Sequence, residues 1–424
     1  MNPPRSPAGP GPGELFRASL RLGATGFGGG LSVLSGIRSL CVDRRAWLSE
    51  REFARVATVA QMLPGGAAAN ALAYLGLRFG GRQGAVAGYA GFVLPGFVAT
   101  FLLAVLYARL GVAPGAGLVL DGFNAAVVGI IGSITIQMVR GGIGRLWQMG
   151  LAAAALLLSL PGGASAGEVA LLGVAVGLVA DLSQKRARLY RYRARQRTAP
   201  VALPDEGAPL PEEEPAEAPS PRGETPPGPG PLPLASIALA GGAGLHLTGL
   251  DAELFRIFVA FFRTGLGAYG GGFAIVPHLQ GVLVGPGWLT ARQFADAVAI
   301  GKLTPGPVLL MATFAGYLLG GPLPALAATL GIFIPPLILV IALGSWLDRV
   351  RQSRMVRAAL RGLTPAVVGL MAAAAVTMGR SLGGAPALAI AIATGLTLQR
   401  FPMNPVLLIA AGGVARLAAG LLGV

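Results

Sequence analysis

The sequence predicts an all-α polytopic membrane protein of about 10–13 transmembrane or re-entrant helices. These helices should form two homologous halves of inverted topology, interrupted by broken helices at Gly-Gly-Gly and Pro-Gly motifs. Three observations carry the prediction: charge is scarce, long runs carry none at all, and one ordered set of motifs occurs twice.

The 424 residues are 54% hydrophobic and 12% charged, against about 25% charged in soluble domains. Mean hydropathy is +0.67. An ordinary soluble enzyme needs a more charged surface, so that class is excluded. One cysteine, Cys41, and two histidines exclude a disulfide framework and the common transition-metal centres. No cofactor and no metal are therefore expected. The net charge of +15 does not indicate nucleic acid. Seven of the 18 acidic residues fall within residues 205–224, and the basic residues form short clusters between uncharged runs. That is the pattern of positively charged loops on the inner side of a membrane.

A helix needs roughly 20 apolar residues to cross a bilayer. Residues 83–108 and 264–291 contain no charged side chain, and residues 303–347 run 45 positions without one. Gly320-Gly321-Pro322 divides the longest run into two passes joined by a turn. Residues 122–139, 146–167, 362–379 and 381–399 are further candidates. The N-terminus has no apolar signal-peptide core. The exception is the segment 183–231, which is first basic (Lys185, Arg186, Arg188 and onward to Arg197), then rich in proline and glutamate. It reads as a disordered cytoplasmic linker, and a passive tether accounts for it better than a regulatory role. The domains are then an N-terminal membrane repeat (1–182), the linker (183–231) and a C-terminal membrane repeat (232–424). The location is the inner cell membrane, crossed many times.

The repeat is explicit. Arg21 and the run to Phe27, Gly28, Gly29 and Gly30 recur as Arg263 and the run to Tyr269, Gly270, Gly271 and Gly272. Trp47-Leu-Ser recurs as Trp288-Leu-Thr, and Gln61-Met-Leu-Pro64-Gly65-Gly66 as Lys302-Leu-Thr304-Pro305-Gly306-Pro307. Gly80-Gly81 and Gly320-Gly321 follow, then Pro95 and Pro335. The offset stays between 240 and 242, so the chain is a tandem duplication. Arginines counted outward from a cytoplasmic linker favour opposed orientation, with the 38–55 loop as the exception.

Broken helices at matched positions of two repeats are the best sequence pointer to a transporter's binding site. Non-helical backbone at membrane depth survives only where protein or a water-filled cavity covers it, and free helix N-termini suit an anion. The candidate substrate-binding residues are therefore Gly28, Gly29, Gly30, Pro64, Gly65, Tyr269, Gly270, Gly271, Gly272, Thr304, Pro305, Gly306 and Pro307. Gln61 and Asn70 flank the first Pro-Gly break and add neutral hydrogen bonds. Lys302 is one of two lysines in the chain. An ionisable group in that apolar setting costs roughly 2.5–3.5 kcal/mol on insertion scales, so it reads as functional, with snorkelling as the alternative. Arg21 and Arg263 could line an anion path or anchor helix ends. Asp296 could carry a proton or pair with Lys302, and His278 reads as structural. No catalytic residues are expected, and no phosphate-binding loop or nucleophile elbow occurs.

At these residues the chain resembles the chromate ion transporter (CHR) family. The C-terminal half carries the run GLGAYGGGFAIVPHLQGVLVGPGWLTARQFADAVAIGKLTPGPVLLMATFAGYLLGG (265–321). The N-terminal half matches in LGATGFGGGLSVL, RRAWLSEREFARVATVAQMLPGG and FVLPGF. The resemblance implies a secondary transporter that exports chromate from the cytoplasm and confers chromate resistance. Departures are Gly30-Leu31 in place of a glycine-proline step followed by a histidine, Gly66 in place of proline, and Lys302 at a position more often neutral. Another oxyanion such as sulfate, or another small solute, is the alternative cargo, and an assembly scaffold is the alternative class. The expected partners are chromate or a related oxyanion and the lipid bilayer. Nucleic acid is excluded, and a second copy forming a homodimer is left open.

Overall fold

The computed structural model describes residues 9–26, 30–110, 116–160, 164, 166–198, 250–268, 275–350, 353–401 and 403–422. Every regular element among them is helical. The N-terminal half holds α1 (Pro12–Thr25), α2 (Gly30–Arg38), α3 (Glu50–Met62), α4 (Ala67–Leu110), α5 (Ala116–Gly142), α6 (Leu146–Leu158) and α7 (Ala166–Thr198). The C-terminal half holds α8 (Leu250–Leu266), α9 (Ile275–Leu283), α10 (Ala291–Leu303), α11 (Met311–Gly320), α12 (Pro322–Val350), α13 (Arg354–Arg380), α14 (Ala385–Arg400) and α15 (Pro405–Leu421). Among the described residues four helices are long and apolar enough to cross a membrane: α4, α5, α12 and α13. Shorter apolar helices pack among them.

The membrane body comprises residues 1–180 and 248–424, and residues 181–247 form a separate unit. The sequence places the start of the linker at Ser183, yet α7 continues to Thr198. The reason is local. The basic stretch is built from Ala, Arg, Leu and Gln, which are good helix formers, and the prolines begin only at Pro200. The rest of the linker lies outside the described residues.

The duplication is visible in the local physics of each half. Ser49 and Glu52 form a capping box at the start of α3, and Thr290 and Gln293 form the same box on α10. The repeated Trp-Leu-Ser/Thr motif is thus a helix start, in which the hydroxyl satisfies an otherwise free backbone N–H. The Glu52 carboxyl also accepts from Arg78. These bonds hold it well below the usual carboxylate range, at about 2. The paired glycines break the following helix in both halves. Gly81 (φ 58°, ψ −149°) and Gly321 (φ 89°, ψ −148°) share a conformation that is essentially glycine-only. They turn α4 into two legs and separate α11 from α12.

Packing between the halves is reciprocal. In the N-terminal half α1 lies on α4, and in the C-terminal half α8 lies on α12. The next helices exchange partners: α5 packs on α14 and α15 of the other half, while α13 packs on α6. A Cβ on Gly129 of α5 would sit 2.2 Å from the Ala391 carbonyl oxygen of α14. A Cβ on Gly369 of α13 would sit 2.3 Å from the Ala152 carbonyl oxygen of α6. In lipid, helices associate through such close contacts, because burial of apolar surface supplies no net drive. One continuous core joins Ile37, Val56, Leu72 and Phe92 of one half to Phe261, Phe294, Phe314 and Ile332 of the other.

Gly321→Ala and Gly81→Ala should each destabilise the protein by about 1–3 kcal/mol, the cost of forcing a side chain into this backbone region. Thermal unfolding in detergent, followed by reaction of the buried Cys41 thiol with a fluorogenic reagent, would read the drop. Gly132→Ala, at an open helical position, should leave the midpoint unchanged.

Candidate functional site

Where α3 and α10 end, the backbone turns extended at matched residues, Leu63 (φ −89°, ψ 146°) and Thr304 (φ −81°, ψ 145°). A proline follows in each half, then a glycine with positive φ, Gly65 at 103° and Gly306 at 99°. Helix resumes at Ala67 in one half and, through a short 3-10 turn, at Val308 in the other. One freed N–H of each break is satisfied by the opposite half. The Gly65 N–H donates to the Ala268 carbonyl at 2.8 Å, and the Gly306 N–H donates to the Gly26 carbonyl at 3.0 Å. Gly26 and Ala268 immediately precede the Phe-Gly-Gly-Gly and Tyr-Gly-Gly-Gly stretches.

The two Pro-Gly breaks also meet one another. A Cβ on Gly66 would lie 3.4 Å from the Pro307 Cβ. Each break rests on the mid-helix proline region of the other half: Gly65 lies against Pro336 of α12, and the Pro305 carbonyl lies against Gly96 of α4. Two helix N-termini are thereby brought to one buried crossing, each carrying the positive end of a helix dipole.

Around this crossing the predicted residues divide. Asn70 is fully buried, and its Nδ2 donates to the Pro64 carbonyl at 2.9 Å and to those of Ala60 and Leu63 at 3.3 and 3.4 Å. It stitches the first break. Thr304 accepts from the Thr100 hydroxyl of α4 at 3.0 Å, tying the second break to the N-terminal half. Lys302 is buried in the last turn of α10, whereas its counterpart Gln61 is exposed. Gly30 opens α2; Gly28, Gly29, Tyr269, Gly270, Gly271 and Gly272 lie outside the described residues.

The two arginines are not brought to the crossing. Arg21 lines a cavity of about 740 Å³ with Glu14, Arg17, Arg44, Arg45 and Trp47. Arg45 pairs with Glu14 at 3.5 Å, and Arg17, Arg21 and Arg44 leave the cavity with an excess of positive charge. The related cavity of the C-terminal half is about 190 Å³, with Glu253, Arg256 and Trp288 in its wall. The Arg256 guanidinium lies 6.0 Å from the Trp288 ring centroid. Arg263 is exposed in the last turn of α8.

Sequence reasoning missed the partners of Asp296. This carboxyl is 1% exposed and bridges the halves, accepting from Tyr107 Oη at 2.8 Å and Asn124 Nδ2 at 2.9 Å. Nearby, Asp121 accepts from Arg416 at 2.9 Å. Tyr107 and Asn124 stand out as polar residues inside apolar runs, but nothing local says which distant acid they meet.

The family model described as Chromate transporter matches residues 13–180 and 255–417. A chromate transport protein of Pseudomonas aeruginosa is 28% identical over 95% of this chain and 91% of its own length. A chromate transport protein of Cupriavidus metallidurans is 28% identical over 92% and 88%. An uncharacterized transporter of Bacillus subtilis is 29% identical across 90% of its own length, but only 37% of this chain, so it corresponds to a single half. No solved structure matches the chain. The two matched segments are the two halves that clasp one another at the Pro-Gly breaks, and the chain belongs to the chromate transporter family of membrane transporters.

Proposed function

We propose that this protein exports chromate, or a related oxyanion such as sulfate, from the cytoplasm, and that the crossing of the breaks is its substrate site. The observation that carries the reading is the reciprocal pair of hydrogen bonds from Gly65 and Gly306. They support an arrangement in which interrupted helices of both repeats converge at one buried place, as the binding of an ion at membrane depth requires. Helix N-termini supply partial positive charge there, and Lys302, in the last turn of the helix that leads into the second break, would add a full one when protonated. The predicted residues Gly28, Gly29, Gly30, Tyr269, Gly270, Gly271 and Gly272 belong to the same reading, because their stems Gly26 and Ala268 are held by the breaks. The positive cavity around Arg21 suits an approach route that concentrates anions.

The names of the Pseudomonas and Cupriavidus relatives favour chromate as the cargo. The basic run that opens the linker favours a cytoplasmic position for it, and that position with the arginine distribution favours inverted halves. Opposed repeats would make the two charged cavities the two mouths of one path.

Lys302 is the first test. A dianion is incompletely neutralised by two helix ends of about half a charge each. Lys302→Gln should raise the apparent KM for chromate roughly tenfold or more, equivalent to at least about 1.4 kcal/mol. Lys302→Arg should lose less, since it keeps the charge. Initial rates in everted vesicles, normalised to inserted protein, decide this, with sulfate and molybdate as competitors. Equal kinetics for Gln and wild type would remove Lys302 from the site. A second test concerns the linker. Deletion of about residues 200–229 should leave transport nearly unchanged, since loop length carries a small entropic cost. Loss of transport by a normally inserted deletion protein would show that it does more than tether.

A further inference from the structure

We infer that Asp296 is a proton-carrying group and that its proton travels with the anion. The inference rests on the oxyanion reading above for the cargo, but the proton site itself stands on separate geometry. Asp296 lies on α10, two turns before the second Pro-Gly break, and is 1% exposed. Its two hydrogen-bond donors, Tyr107 Oη and Asn124 Nδ2, are both neutral. A carboxylate kept out of water and held only by neutral hydrogen-bond donors is costly, and protonation relieves that cost.

The partners serve both protonation states. In the arrangement seen, an ionised carboxylate accepts from both. Asn124 is 7% exposed, and its Oδ1 has no hydrogen-bond partner among the described residues. Half a turn of that amide presents Oδ1 to the carboxyl, where a protonated Asp296 can donate to it. A permanently ionised acid would have no use for that acceptor.

The surrounding charges frame the site. On α10 itself, Arg292 lies one turn before Asp296 and donates to the Gly117 carbonyl of α5 at 3.3 Å; Lys302 lies beyond it toward the break. From α5 comes Asp121, engaged by Arg416 of α15 at 2.9 Å. From α4 comes Tyr107, whose ring packs edge-on against Phe314 of α11 at 5.1 Å between centroids. His278 is the titratable group of α9. Two turns along α4 from Tyr107, Thr100 bonds Thr304 at the break itself. One stretch of α4 thus carries a polar contact at each end, Tyr107 to Asp296 and Thr100 to the crossing.

The duplicated half shows that the repeat does not need this acid. The position matching Asp296 is Arg55, which is exposed. Asn124 matches Thr364, whose hydroxyl bonds the Leu360 carbonyl of its own helix at 2.9 Å. The carboxyl and its partners occur once, as a site does.

Electrostatics sets the sense of coupling. A dianion at the crossing is repelled by an ionised Asp296 and tolerated beside a neutral one, so proton and oxyanion bind together. One proton carried with one chromate dianion moves a single net negative charge. An inside-negative potential therefore still drives the pair outward.

The test uses the full-length protein in proteoliposomes loaded with chromate and a pH-sensitive dye, with a potassium–valinomycin potential as the driving force. In wild type, chromate leaving the vesicle should carry protons out, and the lumen should turn alkaline in proportion. Asp296→Asn keeps the shape and mimics the neutral form. It should still move chromate, with proton movement lost and the pH dependence of the rate flattened at least fivefold. Asp296→Glu should retain coupling. Tyr107→Phe removes one donor to the ionised form and should move the pH midpoint of transport upward. Wild-type proton movement in Asp296→Asn overturns the inference, and so does a sodium requirement in place of the pH dependence. If Asp296→Asn inserts but moves nothing, infrared difference spectra decide. A protonated-carboxyl C=O band that titrates in wild type and is missing in Asp296→Asn sustains the inference; its presence in both overturns it. Failure of wild type to move either chromate or sulfate would count against the oxyanion reading alone, because the infrared titration needs no substrate.

Discussion

Backbone amides at membrane depth have no water to turn to, and this constraint governs the centre of the molecule. A Pro-Gly break releases N–H and C=O groups that a continuous helix would have satisfied. Each repeat leaves one N–H at its break and one carbonyl before its glycine triplet for the other repeat to satisfy. In both halves the partner lies in the other repeat: Gly65 reaches Ala268, and Gly306 reaches Gly26. At these groups neither half closes its own ladder, and each break is completed by the other repeat. The exchanged packing of α5 and α13 follows the same logic at the level of whole helices.

The supporting layers keep polar groups few. Asn70 spends its amide on three carbonyls of the first break. Thr313 and Thr329 pair at 2.8 Å between α11 and α12. Elsewhere glycine and alanine let helix backbones touch, which gives a rigid frame without charge. Against so apolar a frame, the buried Lys302 and Asp296 have large electrostatic reach, because little around them screens it.

Much of the architecture was legible in the sequence because it is written locally. Runs without charge mark the long helices, paired glycines mark the kinks at Gly81 and Gly321, and the constant offset marks the two repeats. The breaks at Pro64 and Pro305 were readable because proline beside glycine disfavours continuous helix and the pair recurs at matched positions of the two repeats. Partnership was not legible. Nothing in the period of α5 tells that it packs on α14, and nothing near Asp296 names Tyr107 or Asn124, which lie 189 and 172 positions away. Helix α7 runs on into the basic stretch for a local reason, the helix propensity of the residues that carry the charge. The Trp-Leu-Ser/Thr motif looked like part of the repeated signature and proved to be a pair of helix caps.

The Arg55–Asp296 difference has a consequence for assembly. An ancestor made of two identical half-length chains would place the same side chain at both positions, giving either two outward cations or two buried acids. The present chain has one of each, so its halves have become distinct parts rather than copies. Two N-terminal halves brought together could still form the backbone clasp, yet such a pair would contain no acid matching Asp296. Covalent fusion therefore does more than hold two domains near each other: it guarantees a one-to-one ratio of unlike halves in every molecule.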